Sequence, residues 1–355
     1  MGQCLLGSNK INVMILIDSL YINNSGGLRL LEYLISELQQ SDAKYYLLAD
    51  SRCKGKFDAC QHVEYMDASM RNRRRFYLQH RNVFVSVLCF GNIPTPIKMD
   101  VPVYTYFHNI NLLTLAETQN LKKRFKSWLK REVFRHYKKN TDYWLVQTSN
   151  TANELIKHLN EKPERVKLMP FYELSDDLLE LKNVKHGVDY VYISNYTGAK
   201  GHEELLEAWR ILHKRGIDKT LHLTVPKTVT SFVEKIIQAQ QEGVKVVNHG
   251  FVPFDKVLEL YQQSKAIVYP SHNESLGLGI IEAITAGCDV IGSDLPFIHS
   301  ICKPSATFNP YSAESIADTI MKYEGETTTR SSLLINNKID ELIGLLTTPN
   351  NAQIS

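Results

Sequence analysis

The chain has 355 residues, 43% of them apolar and 22% charged, and a formal net charge of +3. These values suit a soluble globular protein of about two domains, each able to bury a core, and exclude a disordered chain. They also exclude a membrane span, because the longest apolar run, "VFVSVLCF" at 83–90, is strand length against the roughly 18 residues a span needs.

Near the start, "INVMILID" lacks a basic leader and a small-residue cleavage site, so it reads as a first strand and not a signal peptide. "MGQCLL" puts Leu6 where a myristoylation signal wants Ser or Thr. In "SLYINNSGGLRLLEYLISEL", Gly26 and Gly27 are expected to precede a helix with Leu28, Leu31, Ile35 and Leu38 on one face. "KYYLLAD", "FVSVLCF", "VPVYTYF" and "DYWLVQTS" supply further strands alternating with helical stretches, which makes the first half α/β with a mostly parallel sheet. Two basic stretches, "RNRRRFYLQHR" at 71–81 and "LKKRFKSWLKREVFRHYKK" at 121–139, mix Lys and Arg with aromatic residues. The second is at helical spacing, with Phe125, Trp128, Leu129 and Tyr137 as candidate apolar contacts. Such a helix can rest on an anionic membrane through Lys122–Lys139, although a solvated basic face uses the same residue types. Nucleic-acid binding is not expected.

The segment "YELSDDLLELKNVKHG", 172–187, reads as a linker. After it the β/α pattern restarts with "VDYVYISN" and continues through "GHEELLEAWRILHKRG", "LHLTV", "TSFVEKIIQAQQEG", "VKVVNHG", "VLELYQQS" and "AIVYP". The expected domains are 1–175, 188–325, and a C-terminal helix and tail, 326–355, packing back toward the first domain. In the tail, "GETTTRSS" is a polar break before the amphipathic helix "LLINNKIDELIGLL". Charge divides along similar lines: residues 1–175 carry 25 Lys and Arg against 16 Asp and Glu, whereas the other 180 carry 16 against 22. A basic half beside an acidic half predicts different partners for the two.

The most informative stretch is "YPSHNESLGLGIIEAITAGCDVIGSD", 269–294. It reads as strand, loop, helix and second strand, a βαβ unit whose ligands sit at the carboxyl ends of its strands. Glu274 falls in the loop and Glu282 in the first turns of the helix. Between them "SLGLG" can aim backbone N–H groups at an anion, since a helix N-terminus carries about half a positive charge and leaves its first amides unpaired. Two carboxylates flanking an anion site describe a nucleotide-sugar, whose hydroxyl groups flank a diphosphate. The six cysteines, at 4, 53, 60, 89, 288 and 302, have neither CxxC nor zinc spacing and read as buried thiols of a cytoplasmic protein. No D-x-D triplet or His/acid cluster is present, so no metal or cofactor is expected.

"NESLGLGIIEAITAGCDVIGSD" resembles the E-x7-E signature of the retaining, GT-B-fold glycosyltransferases that build bacterial lipopolysaccharide, O-antigen and capsule. "VVNHGFVPFDKVLELYQQSKAIVYPS", "ATFNPYSAESIADTIMKY" and "SNYTGAKGHEELLEAW" are similar to neighbouring segments of that family, and "NNSGG" and "YTYFHN" to shorter ones in its first domain. The resemblance implies two Rossmann-like doubly wound domains facing a cleft, and metal-independent transfer from a nucleotide-diphosphate sugar to a glycan acceptor, lipid-linked at the cytoplasmic face of the inner membrane. It implies that Glu274 contacts the donor sugar, Glu282 the ribose, and the amides around Leu276, Gly277 and Leu278 the distal phosphate. Lys200 matches a phosphate-binding lysine, His108 a histidine that reaches the donor sugar, and Gly26 and Gly27 a loop that approaches it. Asn195 stands where the family usually has Arg, and Ser194 replaces a glycine. That departure keeps an alternative open, a GT-B-like protein that binds or epimerises nucleotide-sugar without transferring it.

Overall fold

The computed structural model describes residues 14–113, 121–174, 187–327 and 329–348. They form two units, Met1–Tyr172 with Asn337–Ser355 and Glu173–Asn336.

Unit 1 contains β1 (Ile15–Asp18), α1 (Ser25–Gln40), β2 (Tyr45–Asp50), β3 (Val63–Met66), α2 (Met70–Gln79), β4 (Ser86–Cys89), β5 (Val103–Phe107), α3 (Leu121–Tyr137), β6 (Tyr143–Val146), α4 (Ser149–Leu159) and β7 (Val166–Leu168). All seven strands are parallel, in the order β3-β2-β1-β4-β5-β6-β7. The central strands β1, β4 and β5 are buried along their whole length, as expected of strands covered by helices on both faces. The edge strands β3 and β7 have no fully buried residue, and their mixed composition gives the sequence no clear strand pattern. In α1 the predicted Leu28, Leu31, Ile35 and Leu38 are buried, with Leu30 and Leu34 beside them. Gly26 and Gly27 lie inside the first turn of this helix, after an N-cap at Asn24, and not in a preceding loop as expected.

Unit 2 contains β8 (Val188–Tyr192), α5 (His202–Lys214), β9 (Leu221–Leu223), α6 (Thr230–Gln241), β10 (Val246–Asn248), α7 (Phe254–Gln263), β11 (Ser264–Tyr269), α8 (Leu278–Thr285), β12 (Asp289–Ser293), α9 (Pro296–Ile301), β13 (Cys302–Lys303), β14 (Ala306–Phe308), α10 (Ala313–Gly325) and β15 (Ser332–Leu333). Its six-stranded parallel sheet has the order β10-β9-β8-β11-β12-β14, and β13 pairs antiparallel with β15. That small pairing keeps the segment before Asn337 with unit 2, so this unit extends beyond the expected end at 325. Most of the expected linker, 175–186, lies outside the described residues.

The last helix, α11 (Ile339–Thr347), starts six residues later than its sequence pattern, because Leu333 is taken into β15. It belongs to unit 1, where Ile339, Leu342, Leu345 and Leu346 are buried. The Ser86 hydroxyl, buried in β4, donates to the Leu346 carbonyl at 2.7 Å. This satisfies both a buried hydroxyl and one of the terminal carbonyls that a helix leaves unpaired. At the other end Lys338 N donates to Pro170 O at 2.8 Å, and the Asn337 amide donates to Tyr172 O at 2.9 Å and Tyr33 Oη at 3.0 Å.

Candidate functional site

In unit 2 the strand order reverses between β8 and β11: the chain winds outward from β8 through β9 to β10, then returns to add β11, β12 and β14 on the other side. At such a switch point the loops leaving the two central strands turn apart, and the crevice they leave at the carboxyl ends is where open α/β sheets bind ligands. The loop after β8 carries Lys200 and the loop after β11 carries Glu274, so the fold brings together two residues 74 positions apart. Lys200 Nζ and Glu274 Oε1 form an ion pair, with the side chains 24% and 14% exposed. The same Oε1 accepts from Tyr269 Oη at 2.8 Å and Ser271 Oγ at 3.0 Å. Three donors on one oxygen orient the carboxylate rigidly.

The two loops are also joined by their backbones. His272 N donates to Ala199 O at 2.9 Å, and within the first loop the Tyr192 side chain holds Lys200, its Oη donating to Lys200 O at 2.9 Å. Gly201 has a φ of +64°, and a Cβ there would fall 2.4 Å from Pro270 O. Only glycine permits both the left-handed backbone and this approach. His202, next in sequence, packs at 4.9 Å from the Tyr192 ring and 5.2 Å from the Tyr196 ring. Burial, aided by the Lys200 charge, lowers its pKa to about 4, so it stays neutral beside the lysine.

Leu276 is buried, Gly277 is the left-handed N-cap of α8, and Leu278 opens the helix. Glu282 lies one turn further along and is 5% exposed. The first turn of α8 therefore starts four residues after Glu274, and its N-terminus is the positive end of the helix dipole. Asn195 is exposed in the loop after β8.

Unit 1 has its own switch point between β1 and β4, and a cavity of about 630 Å3 opens there. It is lined by the loop after β1, the loop after β4, His108 after β5 and the side of α3. Gly27 faces His108: a Cβ on this glycine would lie 3.0 Å from the imidazole Cε1. His108 stacks on Phe90 at 5.4 Å, and its backbone N–H donates to Asn92 Oδ1 at 2.8 Å. Burial pushes its pKa down to about 4. Two lining residues, Tyr21 and Asn92, have φ of 78° and 68°, and such strained backbone is retained where the surrounding structure holds it.

What holds the loop after β4 is a buried cluster that the sequence pattern did not reveal. Arg73 of α2, 2% exposed, donates from Nε to Asp18 Oδ2 at 2.7 Å and from its two terminal nitrogens to the carbonyls of Pro94 and Ile93, each at 2.8 Å. Tyr77 Oη donates to the same Asp18 oxygen at 2.7 Å. One guanidinium thus ties the end of β1 to the segment just after Asn92. The "GN" pair at 91–92 is a turn signal in the sequence, but nothing local marks Arg73 as buried or Tyr21 as left-handed.

On α3, Phe125 and Trp128 are 62% and 43% exposed with ring centroids 5.7 Å apart, and Leu129 beside them is 49% exposed. The opposite side is anchored by Phe134, which packs on Phe107 and Trp144. The side chains of Lys122, Lys123, Lys126 and Lys130 lie outside the described residues. No helix among the described residues is long and apolar enough to cross a membrane.

Residues 180–339 match the family model "Glycosyl transferases group 1". The serotype-specific mannosyltransferase WbdA of Escherichia coli is 28% identical over 131 residues, 36% of this chain and 16% of WbdA. The lipopolysaccharide glucosyltransferase WaaG of Escherichia coli (strain K12) is 23% identical over 199 residues, 50% of this chain and 52% of WaaG. The chain thus spans about half or less of the length of these curated relatives. Among solved structures, Anabaena HepE in complex with UDP and glucose superposes with a TM-score of 0.58 at 13% identity, covering 95% of this chain and 94% of HepE. The two parallel-sheet Rossmann-like units have the GT-B fold, and residues 180–339 are similar to the group 1 glycosyl transferases.

Proposed function

We propose that the protein is a retaining glycosyltransferase that moves a sugar from a nucleotide diphosphate to a hydroxyl of a growing, lipid-linked surface glycan. The observation that carries the reading is the Lys200–Glu274 pair at the unit 2 switch point, on the loop that leads into α8. A nucleotide-sugar is the ligand whose parts match these groups. Its diphosphate takes the lysine and the helix amides, its sugar hydroxyls take the Glu274 carboxylate, and its ribose takes Glu282. Relatives named as mannosyl- and lipopolysaccharide glucosyltransferases support the glycan acceptor, and the UDP and glucose bound in HepE support the donor.

In the reaction the bond from the anomeric carbon to the phosphate oxygen breaks and the acceptor oxygen bonds to that carbon on the same face. The acceptor proton passes to the departing diphosphate. Charge develops on the phosphate oxygens, where Lys200 and the N-terminus of α8 stabilise it without a divalent metal. The exposed Phe125–Trp128 face on basic α3 supplies a membrane contact near a lipid-linked acceptor.

The test is incubation with a panel of nucleotide-sugars and a lipid-linked acceptor, in excess chelator, with mass spectrometry of the product. Nucleoside diphosphate released in step with a glycan one residue longer, with retained configuration by NMR, is the expected outcome. Binding or epimerisation of nucleotide-sugar without transfer would overturn the reading. Activity abolished by chelator and restored by magnesium or manganese would overturn its metal-independent part.

A further inference from the structure

The Lys200–Glu274 pair has two further contacts that the proposed reaction leaves unused. Tyr269 Oη and Ser271 Oγ donate, at 2.8 and 3.0 Å, to the same Oε1 that pairs with Lys200. Both residues are buried, and both precede Glu274 in one segment, the end of β11 and the loop after it. Neither belongs to the loop that carries Lys200. The Ser271 hydroxyl also reaches the carbonyls of Asn273 and Ala199, at 3.2 and 3.4 Å, so the undivided donor is Tyr269. Glu274 Oε2 has no partner among the described residues, and a ligand hydroxyl can take it without displacing either donor.

The two donors sit on fixed supports. The Tyr269 ring meets the Tyr192 ring edge-on at 5.5 Å, and a Cβ on Gly279 of α8 would lie 3.7 Å from its Cε2. From β12, the buried Ser293 Oγ lies 3.1 Å from Tyr269 O and 2.7 Å from Ser271 O. Lys200 is built differently. Tyr192 Oη holds its carbonyl, but its charge stands at the end of a flexible four-carbon stem that is 24% exposed.

Lysine and carboxylate neutralise each other here, so an anion that takes Lys200 must draw it from Glu274. The carboxylate it leaves is only 14% exposed. Such a charge is costly without its cation unless hydrogen-bond donors remain on it. We propose that a diphosphate competes with Glu274 for Lys200, and that Tyr269, assisted by Ser271, is the positioning residue that holds the released carboxylate in place for the donor sugar. This rests on the glycosyltransferase reading, which puts the diphosphate on Lys200 and a sugar hydroxyl on Glu274.

The test is calorimetric titration of the full chain with inorganic pyrophosphate, UDP and GDP, for wild type, Lys200→Met, Glu274→Gln, Tyr269→Phe and the double variant Glu274→Gln/Tyr269→Phe. Lys200→Met should weaken binding about tenfold or more. Glu274→Gln frees the lysine without moving its loop and should tighten binding about three- to tenfold. Tyr269→Phe keeps the ring, makes the carboxylate more dependent on Lys200 and should weaken binding about three- to tenfold, whereas in the Glu274→Gln background it should change binding by less than about twofold. An equal effect of Tyr269→Phe in both backgrounds would be that of a merely structural residue and would overturn the assignment. Glu274→Gln that binds the probes no more tightly than wild type would overturn the competition. A wild type that bound none of the three would overturn both this proposal and the donor site. Transfer is measured separately: the expected coupling without transfer of sugar would fail the functional reading alone, and transfer without the coupling would fail the positioning role alone.

Discussion

Replacing Gly201 by Ala tests how the unit 2 switch point is held together. Its φ of +64° costs a residue with a Cβ about 1–2 kcal/mol. The added carbon also meets Pro270 O at 2.4 Å and Pro270 Cβ at 2.9 Å, and since both belong to a neighbouring chain segment the loops must separate. Overpacking of this kind costs about another 1–3 kcal/mol. Gly198, three residues earlier in the same loop, is an internal control: it has no heavy atom within 4 Å of an added Cβ and no left-handed backbone. Thermal unfolding followed by calorimetry should place the Gly201→Ala transition of unit 2 at least about 4 °C below wild type, using about 2–4 °C per kcal/mol for a unit of this size. Gly198→Ala should stay within about 2 °C of wild type. Because separating the loops pulls Lys200 from Glu274, Gly201→Ala should also raise the donor KM in the transfer assay while Gly198→Ala does not. Equal behaviour of the two variants would refute the argument that this contact sets the spacing of the pair.

Glu274→Ala should mainly lower turnover, by about 10–100-fold if one charged hydrogen bond to the reacting sugar is lost, whereas Glu282→Ala should mainly raise the donor KM; steady-state kinetics with varied donor separate the two. Arg73→Met leaves Asp18 buried without its cation and should destabilise unit 1 by about 3–5 kcal/mol in urea unfolding. The His108 pKa is depressed in the folded state, so its stabilisation is present above the unfolded value near 6.5 and is lost as pH falls toward about 4. From pH 7 to pH 5 this loss amounts to about 2 kcal/mol, and His108→Gln should remove it from the urea stability of unit 1. Phe125→Ser with Trp128→Ser should weaken flotation with anionic vesicles, and equal flotation of wild type and variant would return α3 to an ordinary solvated face.

The buried Asp18–Arg73 pair and the strained Tyr21 and Asn92 have a common logic. A doubly wound sheet offers a crevice at its switch point, but the loops that line it are irregular and need fixing. Arg73 does this in unit 1 with donors to Asp18, Ile93 and Pro94, and in unit 2 the Gly201–Pro270 approach and the His272–Ala199 hydrogen bond do it alongside the Lys200–Glu274 ion pair. A fully satisfied buried guanidinium specifies one loop conformation, whereas a partly satisfied one would be worse than an apolar residue.

The amino-acid sequence by itself determined the alternation of strands and helices, the central buried strands and the helix from Leu278 with its stop before Gly287. These are local signals: apolar runs of strand length, helical periodicity and glycine punctuation each act within a few residues. It did not reveal the edge strands β3 and β7, whose half-exposed faces give mixed patterns, nor the late start of α11, where Leu333 pairs with Cys302 across 31 positions. Only the tertiary structure decided the strand order, and with it the two switch points. The Lys200–Glu274 pair, the placement of Gly27 against His108 and the burial of Arg73 on Asp18 all join segments distant in the chain. Such contacts depend on which strands become neighbours, and that is set by burying the helices on both faces of the sheet, not by any short stretch of sequence.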